Sequence, residues 1–179
     1  MRLFDLHCDT IVSLCDKGKD ICCPDTQFSL RDLDKFERLC QTMAVFVPDT
    51  CPRGMAKAYA DRYLDYLEKL AERQGEAFGL AETAADIVEL TNGGKCAVIR
   101  AIESGRALEG DVENVSYFAG RGVKMMTLVW NGENELGSGN DTEQGLTAFG
   151  RQVIRKMEEE HMIIDVSHLN DPGFDEFPP

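Results

Sequence analysis

The chain has 179 residues, 43% hydrophobic and 28% charged, the balance of a folded globular protein and not of a disordered one. That length is enough for one domain with a real core, and the expectation is a single domain over residues 1–179. The net charge of −13 argues against a nucleic-acid partner, because phosphate binding needs a basic patch and none is visible.

Leu3 to Asp9 reads as a first strand, and it opens with apolar residues. Asp5, His7 and Asp9 follow at every second position, so on a strand they share one face. Residues 15–29 read as a loop, and Ser29 as the cap of a short helix carrying Leu30, Leu33, Phe36 and Leu39. Thr42 to Val47 is a continuous apolar run closed by Pro48, the pattern of a strand buried on both faces. Met55 to Arg73 is the clearest helix, with Tyr59, Tyr63 and Tyr66 forming an aromatic packing stripe.

A short helix over Thr83 to Leu90 stops at Asn92-Gly93-Gly94. Cys96 to Ile102 is a third strand ending at Glu103, and a helix from Val112 to Ala119 stops at Gly120. Val123 to Trp130 is a fourth strand that opens into a glycine-rich loop, 131–139. Leu146, Phe149, Val153, Ile154 and Met157 stripe the next helix, and Met162 to Val166 is a fifth strand ending in Ser167-His168. Asn170 to Glu176 starts another helix, which Phe177-Pro178-Pro179 breaks. Strands alternating with helices indicate an α/β fold with a parallel sheet.

No stretch reads as a signal peptide or a membrane span, so the expectation is a soluble, cytoplasmic protein with no membrane partner. The seven cysteines are irregularly spaced and form no C-x-x-C, which fits free thiols in a reducing compartment.

In α/β folds chemistry collects at the carboxyl ends of the strands. Those ends carry His7 and Asp9, then Glu103, then Trp130 and Asn131, then Asp165, Ser167 and His168. Imidazole and carboxylate donors from several strands suit zinc, and carboxylates can bridge two ions. Each residue also has an ordinary reading. Glu103 could cap the turn that follows it, and Asp165 and Ser167 could make turn hydrogen bonds. His161 precedes the fifth strand, at the opposite end, and reads as a surface residue. Ser167 and His168 are adjacent and no G-x-S-x-G is present, so a serine nucleophile is set aside. The glycine-rich loop lacks the Lys-Ser/Thr ending of a phosphate loop.

Asp5-Leu6-His7-Cys8-Asp9 resembles the D-x-H-x-D opening of the renal (membrane) dipeptidase family, zinc peptidases of the metal-dependent hydrolase superfamily. Ala101-Ile102-Glu103-Ser104-Gly105 resembles its I-E-G-G segment, and Gly122 to Asn131 its G-V-R-x-x-T-L-T strand. Gly145 to Gly150 and Ile164 to His168 resemble the G-L-T-x-F-G helix start and the D-V-S-H strand. The resemblance implies that His7 and Asp9 bind one zinc, Glu103 bridges, and His168 binds a second. It implies hydrolysis of dipeptides through a metal-bridging hydroxide; Trp130 and Asn131, at the end of the fourth strand, are the candidate substrate contacts.

Trp130 stands where animal members carry a substrate-contacting His. The family's later zinc-ligand His, substrate-binding Arg and catalytic Asp have no counterpart here, so no catalytic residue is assigned. A (β/α)8 barrel needs roughly 250 residues. The expectation is therefore an incomplete (β/α)8 TIM-type barrel with about five of eight strands, truncated and impaired. The sequence leaves room for a homo-oligomer. Two other readings stand beside this one: another metal-dependent amidohydrolase-type hydrolase, or a non-catalytic metal-binding fragment.

Overall fold

The computed structural model describes residues 1–177. Pro178 and Pro179, read above as helix-breaking, lie outside the described residues. Strands and helices alternate: β1 (Arg2–Asp5), α1 (Thr10–Lys17), β2 (Arg38–Phe46), α2 (Ala56–Arg73), β3 (Phe78–Leu80), α3 (Ala84–Asn92) and β4 (Cys96–Glu103). Then come α4 (Glu113–Gly120), β5 (Val123–Thr127), α5 (Ala148–Glu159), β6 (Ile163–Asp165) and α6 (Asp171–Asp175). Hydrogen bonding runs through the strands in the order β1-β2-β4-β5-β6, with β3 also paired to β4. This is the α/β, (β/α)8-type order expected from the sequence, with six strands among the described residues in place of the five predicted.

The chain divides into two compact units, and β2 and β4 run through both. The first unit holds Met1–Val45 and Asp61–Ala101. Here β1 lies parallel to β2, with Asp5 opposite Gln41, and β3 parallel to β4, with Phe78 opposite Cys96. The buried face of α2 presents Tyr63, Leu64, Leu67 and Leu70 at helical spacing, all essentially inaccessible. Of the expected tyrosine stripe, Tyr63 alone is fully buried; Tyr66 is half-buried and donates its hydroxyl to the Lys19 carbonyl (2.8 Å). Thr83 and Asp86 form a reciprocal capping box that starts α3. Arg100, 6% exposed, is paired with Glu68 at 3.5 Å and with Glu82.

The second unit holds Phe46–Ala60 and Ile102–Pro179. Here β5 lies parallel to β6, with Thr127 opposite Asp165. Val153, Ile154 and Met157 form the buried stripe of α5, which Thr147 caps by accepting from the Gly150 amide (2.8 Å).

Three sequence expectations are corrected. The first strand stops at Asp5, because the His7 amide donates to Asp5 Oδ1 (3.2 Å) and turns the chain. The expected loop beyond residue 15 begins inside α1, whose buried residues are Thr10, Ile11 and Leu14. The fourth strand stops at Thr127, because the Leu128 carbonyl leaves the ladder to accept from Gly105 and the Asn134 side chain.

Candidate metal centre

In the first unit, the turn at Asp5 carries the chain through His7 and Asp9 into α1. His7 Nε2 lies 3.2 Å from Asp9 Oδ1. Asp9 occupies the N-cap position of α1 but makes no side-chain capping bond, and its carboxylate meets His7 instead. Cys8, between them, is buried and anchors the turn: its thiol donates to Thr10 Oγ1 (2.9 Å) and its carbonyl accepts from the Ala44 amide (2.9 Å). His7 and Asp9 are thus held by the buried residue between them while their own side chains stay accessible.

In the second unit, Glu103 is the last residue of β4 and only 4% exposed. Its carbonyl accepts from the Val47 amide (2.9 Å), and the next residue, Ser104, has φ +88°. A buried carboxylate is costly unless a donor or cation meets it. His168 Nε2 stands 3.2 Å from Glu103 Oε1, so one bound cation could meet both donor atoms. His168 lies three residues past β6 and has φ +68°, a strained value for a residue with a Cβ.

The other ring nitrogen, Nδ1, lies 3.2 Å from Asn131 Oδ1. Trp130 stands beside the imidazole at 6.4 Å between centroids and meets Phe46 edge-on at 4.9 Å and 67°. Asn131, expected to contact substrate, therefore faces His168. The loop that carries it is closed on itself. Gly139 donates to the Gly132 carbonyl (2.9 Å), Asp141 donates to the Asn131 carbonyl (2.9 Å), and the Gly132 amide donates to Asp49 Oδ2 (2.8 Å). Asp49 was missed in the sequence because a single acid after a proline carries no signal.

Asp165 and Ser167 take the ordinary reading. Asp165 accepts from the Thr127 hydroxyl (2.7 Å) and from the Ser167 amide (2.9 Å), which closes the turn before His168. His161 is exposed, as expected.

Each unit therefore pairs an imidazole nitrogen with a carboxylate oxygen, and this donor set fits a divalent ion such as zinc. No described helix is long and apolar enough to cross a membrane. All seven cysteines are free thiols.

The chain thus combines a parallel α/β order with imidazole and carboxylate donors placed after its strands. The model of the membrane dipeptidase family (peptidase family M19) matches residues 1–177. The chain belongs to this metallopeptidase family.

Among curated relatives, it is 31% identical over 119 residues to an uncharacterized protein in the pqqA 5' region of Klebsiella pneumoniae, covering 62% of this chain and 44% of the relative. It is 27% identical over 113 residues to the dipeptidase tcpJ of Claviceps purpurea (strain 20.1), covering 60% of this chain and 26% of that protein. Among solved structures, it is similar to the dipeptidase AC, a metallopeptidase, with a TM-score of 0.87 and 22% identity over 98% of this chain and 59% of that one. A metallopeptidase from Rhodobacter sphaeroides, liganded with a phosphinate mimic of the dipeptide L-Ala-D-Ala, gives a TM-score of 0.84 and 20% identity, covering 98% of this chain and 61% of that one. The matched stretch spans less than half the length of these curated relatives. The fold is that of an incomplete (β/α)8 barrel.

Proposed function

We propose that the protein is a zinc-dependent dipeptidase, with two ions held by His7, Asp9, Glu103 and His168. The observation that carries this reading is the buried carboxylate of Glu103 set 3.2 Å from His168 Nε2, inside a chain of a metallopeptidase family. The His7–Asp9 pair, with the same spacing and the same donor types, supports it.

When bound, the ions would polarise the scissile carbonyl and lower the pKa of a water. The chain's own residues do the rest. Glu103 holds its donor atoms at the end of β4, and His168 holds its own just past β6. Trp130, in edge contact with Phe46, stands beside His168 as an aromatic neighbour of the site.

The test is metal content by mass spectrometry, together with hydrolysis of L-Ala-D-Ala, on the wild type and on Glu103→Gln and His168→Ala. Tight zinc in the wild type and its loss in both variants is the expected result; equal zinc in all three would sink the reading. The matched stretch covers less than half of the first curated relative, so binding is read separately from turnover. A phosphinate dipeptide mimic then serves as a binding probe that needs no turnover.

A further inference from the structure

We infer that Asn131 is the positioning residue of His168: its side-chain oxygen accepts the Nδ1–H and keeps Nε2 turned toward Glu103. The inference rests on the metal reading above and adds to it the device that fixes the ligand.

An imidazole that offers one nitrogen to an ion must place the proton on the other, and that proton needs an acceptor. The two contacts of His168 divide in this way. Nε2 faces the Glu103 carboxylate at 3.2 Å, and Nδ1 faces the Asn131 amide at 3.2 Å. An amide oxygen accepts without bringing a further negative charge beside the buried carboxylate of Glu103.

Asn131 can act as a fixed acceptor because its backbone is held on every side. The Asp141 amide binds its carbonyl, and the following amide, that of Gly132, binds Asp49 Oδ2. A methyl group on Gly139 would stand 1.7 Å from the Trp130 carbonyl and 2.5 Å from that of Asn131, so the loop closes here only around a glycine. Gly139 also bridges to Leu169, the residue after His168, and ties the loop to the segment it orients. Asn131 and His168 are 37 residues apart in sequence and are joined by this closure.

The experiment uses the full chain with zinc as the only added ligand. Calorimetric titration compares the wild type with His168→Ala, Asn131→Leu and Asn131→Asp, with far-UV circular dichroism as the folding control. Asn131→Leu keeps the branched shape but removes the acceptor, and zinc at the His168 side is expected to weaken about 10–100-fold. Asn131→Asp restores an acceptor and is expected to recover most of that loss.

A second measurement needs no variant. The long-range proton–nitrogen spectrum of the zinc-loaded wild type should show His168 protonated at Nδ1. Wild-type affinity in Asn131→Leu, or a proton on Nε2, overturns the inference even where His168→Ala has lost zinc. Unchanged zinc binding in His168→Ala overturns the metal reading and this inference together.

Discussion

Trp130 stands edge-on to Phe46, with ring centroids 4.9 Å apart, and 6.4 Å from the imidazole of His168. It is the chain's single tryptophan, so intrinsic fluorescence reports on this place alone. Zinc bound at His168 changes the charge beside the indole, and the emission is expected to shift on titration. In His168→Ala the shift should vanish. A full response in that variant would place the ion elsewhere.

Gly139 is expected to be the least replaceable residue of the 131–139 loop. Gly139→Ala drives a methyl into two backbone carbonyls, which cannot rotate away as a side chain would. The expected cost is about 2–3 kcal/mol, read from urea unfolding, with loss of the fluorescence response to zinc. Gly120→Ala meets nothing within 4 Å and serves as the control.

The thiols predict a pH dependence of stability. Burial pushes Cys40 up to about 11 and Cys96 up to about 12, against 9.0 for an ordinary thiol. Above about pH 9 the unfolded chain ionises these groups while the folded chain does not. Stability should therefore fall as pH rises from about 9 toward 12, by up to about 1.4 kcal/mol per pH unit for each thiol. Below pH 8 neither thiol contributes a slope. Iodoacetamide mapped by mass spectrometry should label exposed Cys22 in the native state and reach Cys40 and Cys96 only after unfolding.

Arg100 gives an asymmetric pair of variants. Replacing both Glu68 and Glu82 by Ala weakens the compensation of a guanidinium that is 7% exposed, and should cost up to about 3 kcal/mol. Arg100→Met removes the buried charge itself and should cost clearly less. Thermal unfolding of the two variants checks the order, and the reverse order would mean the pairs contribute little.

What was legible in the sequence follows from how local each signal is. β4 stood out because Cys96 to Glu103 is an uninterrupted run buried along its whole length. α2 stood out because four turns of periodicity outweigh any single residue. β3 did not, since three residues with a central glycine resemble a turn. α1 was hidden because its buried residues are few and its start follows a run that alternates like a strand. At the candidate site, residue types could be read directly, but the partnership of Asn131 with His168 could not. It depends on a loop closure, and nothing in the local sequence around either residue encodes it.

The left-handed backbone of His168 sets stability against chemistry at one position. Glycine would relieve strain of about 1 kcal/mol there, while alanine would keep it. His168→Gly should therefore melt above His168→Ala, although both lack the imidazole. A stability screen that scores melting temperature alone would select glycine at this position and discard the proposed ligand, so thermostabilisation that keeps the candidate site must hold residue 168 fixed.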